Sequence, residues 1–257
     1  MRRLLMSALA ATAAVLAVTA PAQAAAPARW QPAVGLTWQM QFSGKLDTSV
    51  KAQVYDIDGA DSTKAQVAAL HKAGRQVVCY VDAGSYENWR ADAGKYPASV
   101  RGKALDGWPG EQWLDVRNWT VLRPILAARL ADCKAKGFDA VDPDNMDGYS
   151  NDSGFPLTAA DQLTFNRRVA DLAHGLGLAV GLKNDLDQVK ALQPAFDFAV
   201  NESCREYGEC GQLKPFIAAG KPVFHVEYSA AECPTPASLR FSNIRKNLNL
   251  NAFRADC

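Results

Sequence analysis

The chain lacks a surplus of charge of either sign. Its 28 lysines and arginines nearly balance its 27 aspartates and glutamates, and it contains three histidines. A protein with so little net charge has no overall field that would draw it to DNA or to an anionic membrane surface. We therefore expect neither a nucleic acid nor a membrane as its partner, and a charged ligand must be recognised by a local group of side chains.

Beyond its N-terminus the chain also lacks any run of eighteen consecutive apolar residues, so we expect no membrane-spanning helix in the mature protein. Its one marked apolar run, Leu4–Val18, follows two arginines and precedes the small residues Ala22–Ala24. That order is typical of a secretory signal peptide over residues 1–24; a membrane anchor is the alternative, but the run is short and ends at a proline. We predict a secreted monomer whose residues 25–257 form one domain.

Metal-binding cysteine motifs are missing as well. There is no Cys-x-x-Cys and no histidine beside a cysteine pair, so we expect no zinc site. Six cysteines in an exported chain predict disulfides, for which fifteen pairings are possible. The positions favour Cys204–Cys210, which closes a short loop, Cys233–Cys257, which holds the tail, and Cys79–Cys133, which joins a strand to a helix. For the last pair, two buried thiols are the alternative.

Strand-like and helix-like segments alternate along the rest of the chain. Strands are predicted at residues 36–42, 52–57, 76–82, 138–142, 178–183, 196–202 and 222–227, with a weak eighth at 248–253. Helices are predicted at 62–73, 121–136 and 158–174, and shorter ones around 187–192, 212–219 and 237–246. This alternation predicts the α/β class and a single (β/α)8 TIM-type barrel; a doubly wound open sheet is the alternative.

One connection is much longer than the others. Residues 83–118 separate the third strand from the next helix and contain three tryptophans and two tyrosines. Loops of this length are usually functional or disordered, and the aromatic residues indicate order. We expect this segment to form a wall beside the functional site; packing as a small separate core is the alternative.

The segment Phe138–Tyr149 carries the strongest functional signal. A buried strand ends there in three carboxylates, Asp142, Asp144 and Asp147. Carboxylates crowded at the end of a core strand are costly to desolvate unless they have partners, which indicates chemistry or ligand binding. Further polar residues end other strands: Asp56, Asp58, Asp82, Lys183, Asn184, Asn201, Glu202 and Glu227. Barrel enzymes have their active sites on that face, which favours the barrel.

Paired carboxylates on a barrel are the groups that glycoside hydrolysis uses, one as acid and one as nucleophile or base. Glu202 follows Phe198 and Val200 on one strand face, and these apolar neighbours should raise its pKa and keep it protonated. Asp144 or Asp142 would stay ionised if Lys183 lies close. The spacing Asp-x-Asp-x-x-Asp also suggests calcium, but the remaining EF-hand positions do not match, and we expect no metal and no cofactor. The chain has no Gly-x-Ser-x-Gly motif, which argues against a serine hydrolase.

Seven segments together are similar to a known family. In chain order they read WQMQFSG, YDID, CYVDAGSYE, VDPDNMDGY, GLKND, NESC and HVEYS. They resemble glycoside hydrolase family 114, whose characterised activity is endo-α-1,4-polygalactosaminidase. The resemblance implies a barrel that cleaves α-1,4-linked galactosamine polymer. It also implies that the fourth-strand aspartate, Asp144 with Asp142 as second choice, is nucleophile or base, and that Glu202 is the acid.

The substrate implied by this resemblance fits the strand-end charges. Unacetylated galactosamine carries ammonium groups at neutral pH, so a cationic amino-sugar polysaccharide would be attracted to an acidic groove. Candidate binding residues are Asp56, Asp58, Asp82, Asp147, Glu227, Lys183 and Asn184, with Trp38, Tyr80, Tyr86, Tyr149 and Tyr228 as stacking partners of the sugar rings. For each aromatic residue, core packing is the alternative. A carbohydrate-binding barrel without catalysis is the second functional hypothesis.

Overall fold

A computed structural model of the protein describes residues 29–231, 233 and 235–257. The predicted signal peptide, residues 1–24, lies outside the described residues. Within the described part of the chain, no helix has both the length and the apolar character needed to cross a membrane.

Twelve strands make up two sheets. They are β1 (Trp38–Gln41), β2 (Val54–Asp58), β3 (Gln76–Asp82), β4 (Ser85–Glu87), β5 (Arg101–Ala104), β6 (Glu111–Leu114), β7 (Ala140–Asp144), β8 (Ala179–Lys183), β9 (Phe198–Glu202), β10 (Val223–Glu227), β11 (Ser242–Arg245) and β12 (Ala255–Asp256). The larger sheet has the order β1-β2-β3-β7-β8-β9-β10-β11-β12 and is parallel except for β12. Its eight parallel strands form the predicted TIM-type barrel.

Five α-helices follow successive barrel strands: α1 (Lys64–Lys72), α2 (Trp119–Lys136), α3 (Ala159–Gly175), α4 (Val189–Leu192) and α5 (Lys214–Ala218). The capping box predicted at Thr158 and Asp161 begins α3. Helix α1 begins one residue later than predicted, because Thr63 rather than Ser62 accepts the backbone N–H of Gln66. At the end of α2, Gly137 adopts φ 99°, the left-handed conformation in which glycine carries no steric penalty.

The end of the barrel differs from the prediction. Residues 237–246 are not a helix: one 3₁₀ turn, Ala237–Leu239, precedes strand β11. Residues 248–253, predicted as the eighth strand, form an irregular segment beside β1, where the side chain of Gln39 donates to Ala252 O at 3.2 Å. In β11, buried Ser242 and Ile244 alternate with half-buried residues, and this short period-two pattern was hidden by the surrounding arginines and lysines.

The first and last parallel strands, β1 and β11, lie close together and are linked through a side chain. The indole N–H of Trp38 in β1 donates to Ser242 O of β11 at 2.8 Å. Inside the barrel the apolar residues of alternate strand positions, such as Met40, Phe198 and Phe224, pack together, and the other positions face the helices. The side-chain alternation therefore separates an inner core from an outer one, as in other parallel barrels.

All three predicted disulfides are confirmed. Cys79–Cys133 joins the outer face of β3 to α2, Cys204–Cys210 closes the loop after β9, and Cys233–Cys257 holds the C-terminus. The described residues include no free cysteine. A disulfide that closes a loop as long as that between Cys79 and Cys133 typically stabilises a fold by about 2–4 kcal/mol.

Candidate active site

Side chains from three neighbouring strands meet at the C-terminal end of the barrel. Lys183 ends β8, and its Nζ lies 2.7 Å from Asp144 Oδ1 of β7 and 2.8 Å from Glu202 Oε2 of β9. The two carboxylates predicted to be catalytic are therefore joined by one buried ammonium group. They converge because β8 lies between β7 and β9 in the sheet.

The Asp144 carboxylate has three hydrogen-bond donors. Besides Lys183, the hydroxyl of Tyr80 donates to Oδ2 at 2.9 Å and the backbone N–H of Asn145 donates to Oδ1 at 2.8 Å. Burial acts to raise the pKa of Asp144, but Lys183 and the two hydrogen bonds outweigh it, and the pKa lies below its ordinary value. Asp144 is therefore ionised at neutral pH.

The Glu202 carboxylate is held from both sides. Its Oε2 contacts Lys183, and its Oε1 accepts a hydrogen bond from the Tyr228 hydroxyl. Burial, followed by the charge of Glu202, raises the pKa of Tyr228 well above its ordinary value, so that the phenol keeps its proton. The backbone N–H of Glu202 donates to Asn184 Oδ1 at 3.0 Å, which fixes the end of β9.

The separation of the two carboxylates is bounded by their shared partner. Because one oxygen of Asp144 and one of Glu202 contact the same nitrogen, these oxygens lie within about 5.5 Å of each other. Retaining glycosidases place their carboxyl groups about 5–5.5 Å apart, whereas inverting enzymes need about 6.5–9.5 Å to admit a water molecule. The two oxygens nearest to Lys183 are therefore closer together than the inverting range.

A pocket of about 350 Å³ opens above these groups. The residues predicted from the sequence that line it are Asp58, Tyr80, Asp144, Asp147, Lys183, Asn184 and Glu202. Tyr149 lies in an adjoining smaller pocket, and Tyr228 contacts Glu202. The pocket also contains residues of the long connection. In all it has seven carboxylates and only two cationic side chains, Arg90 and Lys183. A cationic ligand would be attracted to it.

Five predicted binding residues are buried away from the pocket: Asp56 and Tyr86, described below, and Trp38, Asp82 and Glu227. Trp38 is the first residue of β1, at the opposite end of that strand from the pocket, and it packs against Phe224. Asp82 accepts hydrogen bonds from the backbone N–H and the hydroxyl of Ser85. Glu227 accepts the backbone N–H of Arg205 at 2.8 Å. Their side chains support the barrel and its loops, and we do not include them in the proposed binding site.

Asp56 and Asp142 face each other inside the barrel, below the pocket. No oxygen of either carboxyl meets a hydrogen-bond donor among the described residues. Burial, then the charge of Asp142, raises the pKa of Asp56 well above its ordinary value, and burial raises the pKa of Asp142 to about 7. Two such carboxyls are stable together when they share a proton. Neither one lines the pocket, whereas Asp144 does.

The long connection contributes residues that sequence reasoning missed. Its strands form the order β4-β6-β5, and the pairing sets Glu87 opposite Glu111 at the pocket wall. Burial raises the pKa of Glu111 to about 7. The register between two short antiparallel strands cannot be read from the periodicity of the sequence. For this reason the sequence did not predict that these two glutamates meet at the pocket.

Some aromatic residues of this connection line the pocket wall, as predicted, and others pack in the core, which was the alternative. Trp89 and Trp108 line the pocket with 54% and 48% of their surfaces exposed. Tyr86 and Tyr96 are buried in the outer core, and Trp113 is buried beside Gly148. Arg90, also unforeseen, pairs with both oxygens of Asp58 at 3.0 and 2.7 Å and also with Glu87 at 2.7 Å, so that two pocket carboxylates share one cation.

One group of residues has the composition of a metal site. Cys204, Cys210 and His225 offer atoms within 4.8 Å of one another. The two cysteines are joined in a disulfide, however, and a disulfide offers no thiolate to a metal. Between Asp144 and Glu202, the ammonium group of Lys183 lies at the centre of the carboxylates.

Comparison with known proteins agrees with this geometry. The model of glycoside-hydrolase family GH114 matches residues 19–257. The chain belongs to this family. It is therefore a glycoside hydrolase with a TIM-type barrel, as the sequence resemblance implied. No protein with a curated description matches the chain significantly.

Solved structures resemble this GH114 member to different degrees. The crystal structure of Aspergillus fumigatus Ega3 in complex with galactosamine has a TM-score of 0.86 at 42% identity, covering 90% of this chain and 98% of that chain. The glycoside hydrolase domain of PelA from Pseudomonas aeruginosa has a TM-score of 0.68 at 14% identity, covering 86% and 98%. Trehalulose synthase MutB from Pseudomonas mesoacidophila has 0.54 at 10% identity, covering 75% and 56%. The last two show the fold alone.

Proposed function

We propose that this protein is a secreted endo-acting hydrolase of α-1,4-linked galactosamine polymers, with Asp144 as nucleophile and Glu202 as general acid and base. The observation that carries the proposal is the contact of both carboxylates with Lys183 at the base of an acidic pocket. The likeness to Ega3, solved with galactosamine, supports the amino sugar as substrate. Three disulfides and the N-terminal signal pattern support secretion.

The two roles follow from the hydrogen bonds of each carboxylate. A nucleophile must be ionised, and the three donors around Asp144 lower its pKa. Glu202 has two donors, Lys183 and the Tyr228 hydroxyl, one fewer than Asp144, and it lines the pocket. Glu202 is therefore the group that can give and take a proton as the bond breaks.

The reaction then has two steps. In the first, Glu202 protonates the glycosidic oxygen as the bond to the anomeric carbon breaks, and Asp144 Oδ attacks that carbon to form a glycosyl ester. In the second, Glu202 removes a proton from water, whose oxygen attacks the same carbon and releases Asp144 as a carboxylate. Two inversions give net retention, the outcome associated with closely spaced carboxylates.

Lys183 orients both carboxylates throughout this cycle. As positive charge develops on the sugar, Asp144 is the nearest anion, and Lys183 limits its mobility through the 2.7 Å contact. Tyr80 and Tyr228 hold the remaining oxygens of the two carboxylates. The reacting groups therefore need little reorganisation when the substrate arrives.

Hydrolysis of de-N-acetylated galactosamine polymer tests the proposal. We expect the mature protein to release oligosaccharides with retained anomeric configuration, observed by NMR. Asp144→Asn and Glu202→Gln should each lower kcat by at least about a hundredfold, because each removes a group that acts on the reacting bond. Asp171→Asn, at an exposed carboxylate of α3 outside the pocket, is the matched control and should leave kcat unchanged.

Product analysis separates catalysis from binding alone. A carbohydrate-binding barrel would bind the polymer and release no oligosaccharide. Full turnover by both the Asp144 and the Glu202 variants would remove these residues from the chemistry.

A further inference from the structure

The seam of the barrel, where β1 and β11 come together, is bridged by the segment that follows β11. These strands stand at the two ends of the order of parallel strands, and no ladder joins them in the part of the chain that the structure describes. Residues 247–253, which we call the seam segment, supply contacts instead. Leu250 O accepts the backbone N–H groups of Phe42 and Ser43 at 2.9 and 3.2 Å, and Asn249 O accepts the Ser43 hydroxyl at 2.6 Å. The seam segment is therefore fixed to the chain just beyond the end of β1.

A buried lysine fixes the far end of the seam segment. Lys246 directly follows β11 and has none of its surface exposed. Its ammonium group donates to Gln39 Oε1 of β1 at 3.3 Å, to Asn251 O at 2.8 Å and to Phe253 O. Burial lowers the pKa of Lys246 to about 8, so at neutral pH the group is charged and has three N–H donors for these three acceptors. Because a buried charge is costly, packing alone does not explain a lysine here.

The seam segment lines the proposed active-site pocket. Leu248, Asn249 and Leu250 border the same pocket of about 350 Å³ as Asp144 and Glu202. Leu250 has φ 49°, a conformation that leucine rarely adopts. Strain of this kind persists only where the surrounding contacts hold it, and it is concentrated at sites that bind ligands. The contacts of Lys246 and Ser43 are therefore of the kind that a functional segment requires.

Exposed large apolar side chains are concentrated at this pocket. Five such residues occur in the described part of the chain, and three of them, Trp89, Trp108 and Leu248, line the pocket. Leu248 is the most exposed of the three, at 68%. Sugar rings have C–H faces that release water when they contact an apolar surface. Leu248 and the two tryptophans belong to separate elements, so the pocket offers such a surface on more than one side.

The seam segment also reaches the reacting aspartate through two aromatic rings. Phe42, whose backbone N–H is held by Leu250, packs against Tyr80 with the ring centroids 4.0 Å apart. The Tyr80 hydroxyl donates to Asp144 Oδ2 at 2.9 Å. Because β1 is the first and β8 the fifth of the eight parallel strands, the seam lies across the barrel mouth from Lys183. A sugar ring above Asp144 would thus meet the seam segment on the side away from Lys183.

We propose that the seam segment is a substrate-contacting wall, in which the Leu248 side chain packs against the C–H face of a sugar ring. Lys246 is a positioning residue that acts through this segment. The inference rests on the proposed function, because it assumes that a sugar chain occupies the pocket. It adds an apolar contact and the buried group that holds it in place.

Steady-state hydrolysis of de-N-acetylated galactosamine polymer by Leu248 variants tests the wall. Leu248→Asn replaces the apolar surface with an amide of similar shape at an exposed position, so the fold is not at risk. We expect KM to rise about fivefold with kcat within about twofold of the wild type, because the contact is made equally with the bound substrate and the transition state. Leu248→Met keeps the apolar surface and should raise KM by less than about twofold. Asp171→Asn should change neither constant.

Hydrogen exchange tests the role of Lys246. Lys246→Met keeps the length of the side chain but loses the charge and the three donors. Exchange of the backbone amides of Phe42 and Ser43 should accelerate at least about tenfold, while those of β7, β8 and β9 keep their wild-type rates, and KM should rise as in Leu248→Asn. A merely structural role would lower global stability and accelerate exchange in all these strands alike.

The outcomes separate the wall from the proposed function. Hydrolysis by the wild type with a KM that Leu248→Asn does not change would overturn the wall alone, and wild-type exchange at Phe42 and Ser43 in Lys246→Met would overturn the role of Lys246. Calorimetric titration of a short galactosamine oligosaccharide into proteins carrying Asp144→Asn tests the wall without turnover. An affinity that falls about fivefold on adding Leu248→Asn, with no hydrolysis by the wild type, would overturn the proposed function and support the wall.

Discussion

Lys183 contacts both proposed catalytic carboxylates and helps to keep Asp144 ionised, so its removal should change how activity depends on pH. In Lys183→Met the side chain keeps its length but loses its charge, while Asp144 stays buried. The pKa of Asp144 should therefore rise, because the ion pair with Lys183 no longer outweighs the effect of burial. We expect the acidic limb of the kcat/KM profile to move up by at least about one pH unit.

Lys183→Arg is the companion variant, because it keeps the positive charge but changes the geometry. It should lower kcat with a smaller displacement of the acidic limb. Circular dichroism would establish that both variants fold, since removing one partner of a buried ion pair can cost about 3–5 kcal/mol. An acidic limb that is identical in the wild type and in Lys183→Met would show that Asp144 is kept ionised by other groups.

At the scale of single elements, the turn between β3 and β4 positions the active site through a close backbone contact. A Cβ atom added to Gly84 would lie 1.7 Å from Asn145 O, so the turn must move. Asn145 donates its backbone N–H to Asp144. We expect Gly84→Ala to destabilise the fold by about 1–3 kcal/mol and to lower kcat, measured by urea unfolding and by steady-state kinetics.

Gly94 provides the matched control within the same connection. A Cβ atom there would meet nothing within 4 Å, so Gly94→Ala should change stability by less than about 0.5 kcal/mol and leave kcat unchanged. Equal effects of the two substitutions would mean that the contact with Asn145 does not position Asp144.

The strands, helices and loops also show which parts of the fold and of the candidate site can be predicted from the sequence. Seven barrel strands up to residue 227, the capping box at Thr158 and the disulfides were predictable, because apolar runs, caps and paired cysteines are local signals. Glu87 and Glu111 were not, because their meeting depends on the register of two short antiparallel strands. The burial of Asp56 was not foreseen either, since a strand-end position does not give the depth of a side chain.

At the scale of the whole molecule, the buried acids should make the fold more stable in mild acid than in mild base. The pKa values of Asp147, Asp142, Glu111 and Asp185 are raised to about 6, 7, 7 and 8, in each case chiefly by burial. A carboxyl with a raised folded pKa binds its proton more tightly in the folded state. Its stabilising contribution is complete below the unfolded pKa, near 4, and is lost as pH rises through the folded pKa.

We therefore expect the free energy of unfolding in urea to fall between pH 5 and pH 8, by about 2 kcal/mol or more. Asp56→Asn should reduce this fall. The asparagine amide N–H₂ can donate to Asp142, so the pair no longer needs the proton that the two carboxyls share. Lys246, whose pKa burial lowers to about 8, acts in the opposite direction but mainly above this range. Stability that stays constant or rises from pH 5 to pH 8 would show that the four buried carboxyls are already ionised in the folded protein. The pocket would then carry a greater negative charge than we infer.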